Sequence, residues 1–247
     1  MARRVMSESG YYHICVKSAG QIALFEDDGD RRYFLRLLKE ASEKHGATII
    51  AWVLMSDHVH LIAEFYPDTT AITPFMYYLD KRYAVYFNRK TGRSGGLQKA
   101  AYWSKPIEND AQLIATTYYL HMNPERAGIA DMRSYHWSSY QEYAGKHWVV
   151  DTSVILDLFG SFDAFDAYQG SDADVVRRNL YRSVHDRDVL SHAMRITGAS
   201  TSGELRKLPV EKRNESIVRL RRTGATVKQI ARTFGIGTAT VSRILRA

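Results

Sequence analysis

The sequence predicts an α+β fold, an antiparallel sheet carrying helices, followed by a small all-α helix-turn-helix. Three observations carry the prediction. Segments over the first half of the chain alternate in the order β-α-β-β-α-β-α, no glycine-rich phosphate loop interrupts them, and the last fifth breaks into three short helices. The hairpin inside that order favours an antiparallel sheet over a doubly wound parallel one.

The elements follow from local pattern. Residues 11–16, Tyr-Tyr-His-Ile-Cys-Val, read as a strand, and Glu26 to Asp30 as an acidic turn. Phe34, Leu37, Leu38 and Ala41 then recur at helical spacing, in a helix that ends near Gly46. Thr48 to Met55 and His58 to Phe65 flank the turn residues Ser56-Asp57 and form a hairpin. A second helix covers Ile72 to Asn88, Thr91 to Gly96 is a loop, and a short strand lies around Tyr102 to Ile107. Ala111 to Met122 is a helix that should stop at Asn123-Pro124, because proline cannot continue it. Trp137, Tyr140 and Tyr143 pack onto the core, and residues 151–200 carry weak helices broken at Gly160, Gly170 and Gly198. The expected division is 1–150, a helical connector over 151–204, and a terminal domain over 205–247.

Composition bounds the function. The 247 residues are 45% hydrophobic, enough for one good-sized core or two smaller ones. Charged residues are 25% and no apolar run approaches the ~18 residues of a bilayer span, so no membrane partner is expected. No secretory signal follows Met1-Ala2-Arg3-Arg4, and the expected location is cytoplasmic. The single cysteine, Cys15, excludes an intrachain disulfide and a multi-cysteine zinc site. Net charge is +7, yet from Ser200 onward there are 11 Lys and Arg against 3 Asp and Glu, so all of the excess lies in the tail. Such a local excess suits phosphate neutralisation on nucleic acid.

The tail reads as helices over Lys212 to Arg222, Val227 to Phe234 and Thr238 to Arg246, broken at Gly224 and Gly235. Ile230, Ala231, Phe234, Ile236, Val241 and Ile244 form its inward set, the helix-turn-helix pattern. Thr238, Thr240, Ser242 and Arg243 on the last helix are then the side chains that would meet base edges and phosphates of duplex DNA.

Two clusters carry chemistry. Asp57-His58-Val59-His60 places two imidazoles at i and i+2 of a strand, on one face, a start for a divalent metal site. Glu64 shares their parity but is not taken as a ligand. In Tyr118-Tyr119-Leu120-His121-Met122-Asn123-Pro124, Tyr119 and Asn123 stack on one helix face, whereas Tyr118 diverges from Asn123 by roughly 140°. If that face meets the histidine strand, two nitrogens and an amide oxygen could hold a cation with positions left for a phosphate. His13 and His121 are read as structural. Tyr119 as a core tyrosine and Asn123 as a helix terminator are the bland alternatives, and Lys105 and Arg126 are candidate phosphate contacts.

Asp57-His58-Val59-His60, Tyr119 through Gly128 and Trp137-Ser138-Ser139-Tyr140 together resemble the REP-associated tyrosine transposases, single-tyrosine members of the HUH nuclease superfamily. The resemblance covers about residues 10–145. It implies a ferredoxin-like nuclease domain that cuts single-stranded DNA beside a hairpin, with Tyr119 as nucleophile and His58, His60 and Asn123 holding Mg²⁺ or Mn²⁺. It implies a 5′-phosphotyrosine intermediate and DNA transposition, by a monomer or a homodimer. Tyr102-Trp103-Ser104-Lys105 departs from the Trp-Gln-x-Arg-Phe stretch of many relatives, which leaves open which residues here grip the DNA but not the catalytic set. The competing readings are a helix-turn-helix regulator without catalysis and an HUH replication initiator or relaxase. A further histidine downstream of His60 that would complete a three-histidine cluster, and a helicase segment, both of which would favour a relaxase, are not seen.

Overall fold

Strand β1 (Tyr11–Lys17) buries Tyr12, Ile14 and Val16, while its odd residues face the other way, the alternation that a pleated strand imposes. In the computed structural model it pairs antiparallel with β3 (His58–Glu64), which pairs antiparallel with β2 (Thr48–Leu54). With β4 (Trp103–Ile107) the sheet order is β2-β3-β1-β4, the arrangement expected of a ferredoxin-like β-α-β-β-α-β chain. The structure describes residues 7, 9–20, 23–98, 101–169, 186–222 and 225–245. The expected breaks at Gly170 and Gly224 and the helix end at Arg246 lie outside them. Among the described residues no helix is long and apolar enough to cross a membrane.

Helices α1 (Asp28–His45) and α2 (Ile72–Thr91) cover the face bearing Tyr12, Ile14, Val16, Val59 and Leu61; Phe34, Leu37, Leu38, Phe75, Met76 and Leu79 fill the core between. Asp27 caps α1 in a reciprocal box with Asp30, and Gly46 closes it at φ 62°, where a side chain would be strained. Asp30 is fully buried, and Lys90 reaches it at 2.8 Å from the last turn of α2, so this ion pair ties the two helices.

On the opposite face the end of α3 (Asp110–His121) brings the Tyr119 ring 5.9 Å from His60, and after Met122 a single turn follows, α4 (Asn123–Arg126). The chain therefore does not leave helical geometry at Asn123-Pro124 as expected. Proline stands in the first turn of α4, where no N–H is required.

The Trp137–Tyr140 motif guards the outer edge of β2. Leu54 N–H donates to Trp137 O at 2.9 Å, Trp52 N–H to Ser139 Oγ at 3.0 Å, and Ser139 N–H to Trp52 O at 2.9 Å. Within α5 (Tyr140–Tyr143), buried Glu142 accepts Trp52 Nε1–H at 2.7 Å and the N–H groups of Trp148, Val149 and Val150 at 2.7, 2.7 and 2.9 Å. An exposed edge is thus occupied within the same chain. Short helices α6 (Ser153–Phe159) and α7 (Phe162–Gln169) follow, and Phe165 stacks on Tyr143 at 4.6 Å.

Two units emerge from the packing. One comprises Gly10–Pro106 and Thr116–Ser171; the other comprises Ser7–Ser9, Ile107–Ala115 and the chain from Asp172 to Ala247. The second holds α8 (Asp186–Thr197), α9 (Ser202–Arg206), α10 (Val210–Arg222), α11 (Val227–Phe234) and α12 (Thr238–Ile244) around Val189, Leu205, Ile217, Leu220, Ile230, Phe234 and Val241. Thr226 and Gln229 form a capping box on α11, and Gly235, at φ 66°, turns the chain toward α12.

Candidate functional site

Strand register builds the site. Cys15 lies opposite His60 and Lys17 opposite His58, so His13, Cys15 and Lys17 share a face with His58 and His60. The His58 and His60 ring centroids are 5.1 Å apart, and the Tyr119 ring lies 5.9 Å from His60 and 6.1 Å from His13. The tyrosine pair divides cleanly. Tyr118 is only 5% exposed and meets Tyr168 edge to face, whereas Tyr119 is partly exposed and carries the Arg126 guanidinium 5.3 Å from its ring centre.

Each imidazole is held by one nitrogen. His58 Nδ1 lies 2.7 Å from Asp57 Oδ1, and a carboxylate can only accept, so Nδ1 carries a proton and Nε2 is the nitrogen left for another partner. His60 Nδ1 lies 2.9 Å from Nε2 of His13. Burial, reinforced by the neighbouring imidazoles and Lys17, pushes His60 down to about 2; burial and Lys105 lower His13 to about 4, so both rings stay neutral at neutral pH. Neutral imidazoles with an oriented second nitrogen are the form a metal requires.

Pro124 explains how Asn123 is oriented. Proline has no N–H for the carbonyl of Leu120, and Asn123 Nδ2 donates there instead at 3.1 Å and to Tyr119 O at 2.8 Å. With its amide nitrogen committed to the helix end, Asn123 keeps Oδ1 as a free-standing acceptor one turn from Tyr119. The donor set of two imidazole nitrogens and an amide oxygen fits Mg²⁺ or Mn²⁺ in kind. Among the described residues no three His, Cys, Asp or Glu side chains cluster as a metal site.

The structure places His13, read from the sequence as structural, beside His60, with Lys17 opposite His58 and Trp103 against the His13 ring. Lys17 is exposed beside His58, and Trp103, 52% exposed, meets the His13 ring edge to face at 5.3 Å. The signal was the odd set Tyr11, His13, Cys15, Lys17, but it points to the site only once β1 is paired with β3. His121 is structural as read: fully buried, its Nε2 is 2.9 Å from Ser139 Oγ. Lys105 is exposed on β4. On α12, Thr238 and Arg243 are exposed, Thr240 and Ser242 half-buried, and Ala239 is exposed as well.

Residues 6–123 match the family model described as IS200-like transposase, and residues 209–247 match that of a homeodomain-like domain. Among solved structures, that of a REP-associated tyrosine transposase bound to a REP hairpin is similar over 60% of this chain and 87% of its own, at 16% identity and a TM-score of 0.50. Identity that low speaks for the fold. No curated protein matches the chain.

Proposed function

We propose that this protein cuts and rejoins single-stranded DNA beside hairpins, through a tyrosine nucleophile and a divalent cation, in DNA transposition. The observation that carries the reading is the convergence of partly exposed Tyr119 with His60, at 5.9 Å between rings, while its neighbour Tyr118 is buried. The IS200-like match over residues 6–123 and the hairpin bound by the structurally similar transposase support the substrate class.

His58 and His60 through Nε2, and Asn123 through Oδ1, would hold Mg²⁺ or Mn²⁺. Such a cation withdraws charge from a scissile phosphate and stabilises the charge of the transition state. Tyr119 Oη attacks phosphorus as the bond to the 3′ oxygen breaks; the phenol loses one proton and the 3′ oxygen gains one. The product is a 5′-phosphotyrosine and a free 3′-OH, which reverses the step on another strand without a nucleotide cofactor. Arg126 over the phenol ring, with Lys105, supplies positive charge for the DNA backbone. The tail engages duplex DNA through Thr238, Thr240, Ser242 and Arg243.

The test is a hairpin oligonucleotide with a single-stranded flank, incubated with Mn²⁺ and resolved under denaturing conditions. A covalent adduct lost in Tyr119→Phe and kept in Tyr118→Phe is expected. No adduct on any hairpin, with duplex binding intact, would instead identify a regulator.

A further inference from the structure

Resting on the strand-transferase reading, we propose that Trp103 is a stacking platform for one unpaired nucleobase next to the phosphate that Tyr119 attacks. Lys105, two residues on, neutralises an adjoining backbone phosphate.

The indole is where such a base would be. Two edge-to-face contacts, 5.3 Å from Trp103 to His13 and 6.1 Å from His13 to Tyr119, link it to the phenol. A base on Trp103 therefore belongs to the nucleotide of the scissile phosphate or its immediate neighbour. The indole is 52% exposed, and among the described residues no ring stacks on it. Trp148 makes the comparison: 43% exposed, it lies parallel to Trp52 at 6.0 Å and edge-on to His136, so its surface is used within the fold. Among the described residues Trp103 has only the His13 edge-to-face contact and no parallel ring, so about half of its indole surface stays in water, apolar area that a stacked base would bury.

Strand geometry adds the cation. β4 stands at the edge of the sheet, β2-β3-β1-β4, and residues at i and i+2 of a strand share a face. Trp103 and Lys105 are thus side by side, both exposed. An aromatic face next to a cation is the pattern of single-strand binding, in which stacking tolerates any base and charge tracks the backbone. It also discriminates. A base inside a duplex has both faces occupied by its neighbours and cannot stack here, so the platform selects unpaired DNA.

The full chain carrying Tyr119→Phe binds without reacting, and anisotropy of a labelled hairpin with a single-stranded flank reports affinity. Adding Trp103→Ala should weaken binding about tenfold, Trp103→Phe should retain most of it, and binding of a blunt duplex should not change. An abasic site at one flank position should weaken the parent to the same extent and make Trp103→Ala cost nothing further. Equal loss on the blunt duplex, or a loss that persists with every abasic substrate, would make the indole structural. Unchanged hairpin affinity in Trp103→Ala would overturn the platform and leave the strand-transferase reading standing. A parent that binds no flanked hairpin would overturn that reading and the platform with it.

Discussion

His60 can offer Nε2 to a cation only if its Nδ1 keeps the proton, and that depends on Nε2 of His13 accepting at 2.9 Å. Asp57 does the same for His58 at 2.7 Å. The two supports differ in strength, since a carboxylate always accepts whereas a histidine accepts only in one tautomer. We expect His13→Ala to weaken Mn²⁺ binding by roughly 10–100-fold in calorimetric titration, and His13→Gln, whose amide oxygen accepts, to restore part of it. Unchanged affinity in His13→Ala would show that His60 needs no partner. The paired imidazoles and the Tyr119/Asn123 spacing were legible because both are local, fixed by the period of one strand and one helix. His13 was not legible, because its place depends on the register of β1 against β3, a contact across 47 positions.

At the scale of elements, the least legible feature is the edge of β2. Glu142 reads as a surface residue between two tyrosines, yet it takes four N–H donors, one from Trp52 and three from Trp148 to Val150, in a site only 1% exposed. Glu142→Ala would leave those donors buried without an acceptor, at a cost of ~3 kcal/mol or more. Glu142→Gln should lose less, because its amide oxygen can still take the three backbone N–H groups and only the bond from Trp52 Nε1–H goes. Denaturant unfolding followed by near-ultraviolet circular dichroism reads both. His121 anchors α3 to the same motif, and burial lowers its imidazole to about 3, against the ordinary 6.5. The unfolded chain takes up that proton first. Its contribution is therefore complete above pH 6.5 and falls by about 1 kcal/mol per pH unit as the pH drops toward 3. In His121→Leu the whole protein is weaker but its stability curve should lose one proton of slope in that window; an unaltered slope would mean that His121 titrates normally. Helix α11, by contrast, follows the sequence to the residue at Val227–Phe234, because a capping residue and a glycine mark its two ends.

For the molecule as a whole, the division of labour follows from charge. In the proposed reaction the chemistry of the first unit would rest on His58, His60 and Tyr119, while the positive excess lies after Ser200, with 11 basic residues against 3 acidic. A short hairpin oligonucleotide and a long duplex should therefore respond to different substitutions. Each tail cation that meets a phosphate releases a counterion, so Arg243→Ala should weaken duplex binding and reduce the log–log salt slope by about 1. The same variant should leave adduct yield on the short hairpin unchanged, and His58→Ala with His60→Ala should abolish the adduct while sparing the duplex salt slope. Filter binding over a salt series, with denaturing gels in parallel, measures both arms. If Arg243→Ala lowers adduct formation and duplex affinity together, the tail contributes to catalysis, and a cut would then require both DNA elements to be engaged by one molecule.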